Sequence, residues 1–162
     1  MHTQGSPPRP SPRVRGLPLP SLLARLLAAG LWRHPGDQAL HAVMPWFEDP
    51  VDFLTSTECM GRQSRSLDQF AHEERASHAF HVAHGSTAGP VELPWLDADL
   101  AFLIAVNREP GDDVAIALDY RSDAGDPAVV ASDAWTNPSA YLWRPVTPSF
   151  DAFAALLGIR SA

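Results

Sequence analysis

Leu100-Ala-Phe-Leu-Ile-Ala-Val106, the connection Asn107 to Asp113 with Pro110-Gly111, and Val114-Ala-Ile-Ala-Leu118 decide the fold. The first run is almost continuously apolar, the pattern of a central strand covered on both faces. Pro110-Gly111 marks a turn. In the second run Val114, Ile116 and Leu118 take one face, while Ala115 and Ala117 on the other leave room for a closely packed helix. An Asp/Gly turn at 122–127 leads to a strand at Ala128-Val-Val-Ala131. A loop with Asn137-Pro138 then leads to a strand at Tyr141-Leu-Trp-Arg144. The chain closes with a helix: Thr147 as N-cap, Pro148 in the first turn, Phe150, Phe153, Ala154 and Leu157 at helical spacing, and Gly158 as the stop.

Upstream, the pattern turns helical. Ser21 is the expected N-cap of a short amphipathic helix that buries Leu22, Leu23, Leu26 and Leu27 and ends at Gly30. Asp37 caps a turn of helix carrying Leu40, Val43 and Met44. Asp49-Pro50 reads as a helix start that buries Val51, Phe53 and Leu54 and runs to about Met60. Gly61 stops or kinks that helix before a polar segment with Leu67 and Phe70. Ala79-Phe-His-Val-Ala83 alternates weakly, as a short strand. Helices first, a strand meander next and a sealing helix predict an α+β domain. Helices are expected mainly on one face of its sheet. Residues 1–20, with six prolines, are expected to be a disordered Pro/Arg-rich tail, leaving 21–162 as a single domain.

Composition narrows the function classes. The chain has 162 residues, 45% hydrophobic and 19% charged, with one cysteine, Cys59. That excludes an internal disulfide framework and any CxxC zinc site. No apolar run reaches the length of a membrane span. Arg25, Pro18 and Pro20 interrupt the Leu-rich stretch that would otherwise suggest a signal peptide, so the expected location is the cytoplasm. All twelve basic residues are arginine, and residues 1–36 carry five of them with no acid. Residues 37–162 hold the other seven against all nineteen acids, a net −12. Such a body repels phosphate backbones and anionic lipid and speeds encounter with cationic partners, so direct nucleic-acid or membrane binding is not expected.

Candidate chemistry is sparse. His72, His78, His81 and His84, with Glu73 and Glu74, form the densest set of possible ligands. On the expected strand His78 and His84 share a face and His81 points away, so three would not converge on a metal. Asp119, Asp123 and Asp126 with Gly125 lack the EF-hand spacing and read as a tight connection. Asp112-Asp113 after Pro110-Gly111 read likewise. There is no G-x-S-x-G elbow, P-loop or G-x-G-x-x-G, and Cys59 lacks a nearby basic activator in the sequence. No catalytic, metal-binding or cofactor-binding residue is assigned. Among the tryptophans, Trp143 is expected in the core with Phe150, whereas Trp135 lies in a polar loop and is the candidate contact residue.

Leu93-Pro-Trp-Leu-Asp97, Gly111-Asp-Asp-Val-Ala-Ile-Ala-Leu-Asp-Tyr-Arg121, Asp126-Pro-Ala-Val-Val130, Trp143-Arg-Pro-Val146 and Ser149-Phe-Asp-Ala-Phe153 occur in an order that resembles the SUKH superfamily. This is the group around the Smi/Knr cell-wall assembly regulator of yeast, with many bacterial relatives. The resemblance covers residues 93–158; the helix-turn-glycine segment common near the start of such proteins is not evident. It implies an α+β fold with a mixed, largely antiparallel sheet, of about 4–6 strands, and without catalytic residues or cofactor. Many bacterial members are immunity proteins that neutralise toxins, often nucleases, and others are scaffolds. The expected function is therefore a non-enzymatic, immunity-like protein-binding module that occludes a basic partner such as a nuclease toxin domain. The candidate contacts are Asp97, Asp99, Asp112, Asp113, Asp119, Asp123, Asp126 and Trp135. The alternatives are a regulatory scaffold without a toxin and a metal-dependent enzyme using the His72–His84 cluster. The sequence leaves the oligomeric state open.

Overall fold

The computed structural model describes residues 5–7, 11–137 and 139–161. Its centre is a five-stranded antiparallel sheet made of β3 (Val51–Phe53), β6 (Ala101–Asn107), β7 (Ala115–Asp119), β8 (Ala128–Asp133) and β9 (Leu142–Thr147), in that spatial order. All five residues of β7 are buried, which demands cover on both faces. On one face, Leu67 and Phe70 of α3 (Thr57–His72) meet Leu103, Ala115 and Trp143. On the other, Phe53 stacks on Trp32 at 4.6 Å, and Trp32 meets Phe150 of α6 (Phe150–Leu156) at 5.4 Å. Helices thus lie against both faces, where the sequence reading puts them mainly on one. The α+β class and the largely antiparallel sheet agree with that reading.

Irregularities in the sheet are satisfied internally. A bulge between Leu103 and Ala105 frees the Leu103 N–H, which donates to the Oγ of fully buried Ser64 on α3 at 2.9 Å. Ser132, also fully buried, accepts from Ala115 N–H at 2.9 Å. Each buried hydroxyl answers a main-chain donor that would otherwise cost about 1–3 kcal/mol.

The remaining elements correct several expectations. Residues 13–20 belong to the domain and not to a tail. β1 (Arg13–Val14) and β2 (Leu17–Pro18) form a hairpin, Val14 and Leu19 are buried, and the Tyr120 hydroxyl donates to the Pro18 carbonyl. Part of the expected tail (1–4 and 8–10) and Pro138 fall outside the described residues. α1 (Ser21–Ala29) has Pro20 and not Ser21 at its N-cap, with no side-chain capping bond, and ends as expected at left-handed Gly30. α2 (Asp37–Val43) has Asp37 inside its first turn. Asp49-Pro50 starts β3, not a helix: Val51 and Phe53 are buried while Asp52 is exposed, a strand alternation that pairs with β6. Proline suits the approach to an edge strand. The helix begins at Thr57, capped by the Ser56 hydroxyl, and runs through Gly61 to His72.

The expected strand at 79–83 is mostly helix. The Glu73 carboxylate caps α4 (Glu74–Phe80), left-handed His81 ends it, and only β4 (Val82–Ala83) is extended. α5 (Gly85–Ala88) follows, and β5 (Leu96–Asp97) pairs in parallel with β4. The cap of α6 is Ser149, two residues after the expected Thr147, which ends β9. Asp126 reinforces this cap by accepting from Phe150 N–H at 2.9 Å. Asp126→Ala should therefore cost about 1 kcal/mol in urea unfolding, whereas Asp151→Ala, at an exposed site, should leave the midpoint nearly unchanged.

Candidate functional site: an acidic corner

The direction of the strands divides the candidate contact residues into two groups. Asp97, Asp99, Asp119, Asp123 and Asp126 gather at the Ala101 end of β6, because Ala101 pairs with Asp119 and Asp119 with Ala128. Asp112, Asp113 and Trp135 lie at the Asn107 end. The seven residues of β6 separate the two groups by about 20 Å. One continuous surface through all eight residues is therefore not what the fold builds.

At the Ala101 end the carboxylates serve the fold. Buried Asp97 accepts from Gly85 N–H and Asp99 N–H. Asp119, also buried, holds Arg121, whose guanidinium reaches the Val91 and Trp95 carbonyls. Asp123 closes its own turn by accepting from Gly125 N–H. Asp99 receives Ser86 N–H and His84 Nδ1.

Asp99 also belongs to a clasp. Arg15 forms two 2.7 Å hydrogen bonds to Asp68 on α3 and a third to the Ala98 carbonyl. His84 Nδ1 lies 2.8 Å from Asp99, and its Nε2 lies 3.7 Å from Asp68. The Arg15 hydrogen bond holds the Asp68 carboxyl below its ordinary range. Burial works to raise Asp99, but Ser86 and His84 outweigh it and keep that pKa low as well. Carboxyls depressed in the folded state contribute stability above the unfolded pKa, and this is lost as pH falls through the folded values. Asp68→Asn should therefore lose about 1 kcal/mol at neutral pH, a figure that allows for solvent screening of the half-exposed pair. The gap from wild type should close on acidification, as read from urea midpoints across pH.

The Asn107 end is different. A groove of about 600 Å³ is lined by Leu40, His41, Phe47 and Val51 and rimmed by Asp37, Glu48 and Asp49. Burial, then the Asp112 and Glu48 carboxylates, push the Asp49 pKa above its ordinary value, with the Trp135 indole opposing them. Arg108 pairs with Asp52 at 2.9 Å and also feels Asp37 and Glu109. Six carboxylates (Asp37, Glu48, Asp49, Asp52, Glu109 and Asp112) thus share one corner with the guanidinium of Arg108. Asp113 is exposed beside them, and its carbonyl accepts the Tyr141 hydroxyl. Trp135 is half-buried, packed on Phe47 with ring centroids 4.9 Å apart. The sequence reading includes the loop 109–113, with Glu109, but does not single out Asp37, Glu48, Asp49 and Asp52, which the fold places beside it. The adjacent pair Glu48-Asp49 was the available signal, but only the β3–β6 pairing brings it beside 109–112.

The histidines do not converge. His72 and His78 are exposed on separate helices, and His78 and His81 place their rings edge-on to Trp95 at 5.4 and 4.8 Å. His84 turns away into the clasp. Among the described residues no group of three or more His, Cys, Asp or Glu is arranged to hold a metal ion, and no helix is long and apolar enough to cross a membrane. Comparison with known proteins returns no match among family models, curated proteins or solved structures.

Proposed function

We propose that the chain is a non-enzymatic, cytoplasmic protein-binding module of immunity type, which neutralises a basic toxin domain by docking its acidic corner over it. The observation that carries this reading is the rim of three carboxylates, Asp37, Glu48 and Asp49, around a groove, with Asp112 close to Asp49, with Asp52 and Glu109 gathered about Arg108, and with half-buried Trp135 packed on Phe47. Concentrated negative charge steers a cationic partner into encounter, and a partly buried tryptophan supplies the kind of anchor that dominates interface energies.

The test is surface plasmon resonance against a panel of basic bacterial nuclease toxin domains. At least one should bind, with affinity falling as salt rises. The triple reversal Glu48→Lys, Asp49→Lys, Asp112→Lys should slow association about tenfold or more at low salt. Reversal of Asp123, at the far end of the sheet, should have a much smaller effect. Equal effects from both variants would overturn the acidic corner. Binding of a basic cellular protein at that corner, with no toxin domain bound, would instead favour a regulatory scaffold.

A further inference from the structure

The groove at the Asn107 end narrows the chemistry of what the corner receives. Its floor is Leu40 from α2, Phe47 from the loop before β3, and Val51 from β3 itself. All three are buried members of the core, so the strip of side chain that each turns to the groove is apolar and held by packing. The rim carries Asp37, Glu48 and Asp49. Of the basic side chains nearby, His34 lies 3.5 Å from Asp37 and Arg108 pairs with Asp52. His41, exposed on the rim, opposes a cation only when protonated. Glu48, Asp49 and Asp112 form no ion pair among the described residues. Yet Asp49 is partly withdrawn from water and feels the charges of both the others. Partly desolvated like charges repel one another, and an incoming cation relieves that repulsion.

An apolar floor under an acidic rim matches a side chain with an apolar stem and a cationic head. We infer that the groove receives an arginine side chain of the basic protein partner, its stem lying on Leu40, Phe47 and Val51 and its guanidinium meeting Glu48 and Asp49. Arginine suits the place better than lysine. Its planar head is more weakly hydrated than an ammonium, so it loses less on entering a half-closed groove, and its fork of donors can serve two carboxylates at once. A volume of about 600 Å³ lies within the roughly 300–1,000 Å³ of ligand sites and leaves room for an apolar residue beside the arginine. The positive end of α2 opposes a cation here, but Asp37 in its first turn answers it. The inference rests on the reading of this corner as a docking face, and adds to charge steering a specific anchor that the partner must supply.

The test is NMR titration of the ¹⁵N-labelled chain at constant ionic strength with the capped peptide acetyl-Gly-Arg-Leu-amide. Three further peptides replace its arginine by citrulline, by lysine, or by 2-amino-3-guanidinopropionic acid, which keeps the head and shortens the stem. The arginine peptide should give saturable shifts at the amides of Leu40, Phe47 and Val51. Citrulline, the uncharged isostere, should bind at least about tenfold more weakly. The short stem, two methylene groups poorer, should lose roughly tenfold, and lysine should also bind more weakly than arginine. Asp49→Asn should weaken the arginine peptide about tenfold, whereas Asp123→Asn, at the far end of the sheet, should leave its affinity unchanged. No saturable shift at the groove, or equal binding of the citrulline, lysine or short-stem peptide, would overturn the inference. The two readings can fail separately. Peptide binding as described with no toxin domain bound would uphold the groove and remove the toxin, whereas a toxin domain bound at the corner with the arginine peptide inert would overturn the arginine anchor alone.

Discussion

Trp32→Ala is expected to destabilise the fold by about 3–5 kcal/mol, the range for losing a large buried aromatic. The ring is 1% exposed and joins edge strand β3 to α6 through Phe53 on one side and Phe150 on the other. β3 has only three residues, so its main-chain ladder is short and side-chain packing must hold it. Removing the indole leaves a void between strand and helix that neither can close without leaving the sheet. Trp32→Phe separates packing from polarity. It keeps an aromatic ring in the stack and removes a buried N–H that has no acceptor among the described residues. Its cost should be about 1 kcal/mol or less, because the smaller void is offset by deleting the unsatisfied donor. Urea unfolding followed by far-ultraviolet circular dichroism measures both. If phenylalanine proves as damaging as alanine, the indole N–H has a strong partner in solution, and the packing account fails.

The sheet is legible in the sequence where strands are long and buried. Residues 100–106, 114–118 and 128–131 announce themselves because a central strand leaves polar residues no place on either face. β3 is not legible in the same way. Three residues cannot display a period, and Asp49-Pro50 is as good a helix signal as it is an entry to an edge strand. The segment at 79–83 failed for a related reason. Its weak alternation competed with a capping signal at Glu73 and a left-handed stop at His81, and local capping won. The negative surplus of the body was legible from charge counting alone. Its concentration was not, because β6 carries 97–99 and 109–113 to opposite ends while β3 brings Glu48 and Asp49 alongside Asp112. Charge is a property of composition, but a charged site is a property of strand direction.

A buried carboxylate at the other end supplies the second large effect. Asp97 is 6% exposed and accepts two main-chain hydrogen bonds, from Gly85 N–H at 3.0 Å and Asp99 N–H at 2.9 Å. It ties the start of α5 to the short 3-10 turn at Ala98–Leu100, across the two-residue β4–β5 ladder. Asp97→Ala would leave two donors without acceptors in a half-closed site and should cost about 2–3 kcal/mol. Gly85 is the complementary half of the same contact. A Cβ at this position would run into the Asp97 carboxylate, so Gly85→Ala must displace that carboxylate and break the same bonds, at a similar cost. The double variant decides whether this account is right. With Asp97 already shortened, the added methyl meets space instead of oxygen, so the double variant's loss should fall short of the sum of the two single losses by about 2 kcal/mol or more. Strict additivity in urea unfolding would mean that glycine is required at 85 for its backbone alone and that the carboxylate contact does not constrain it.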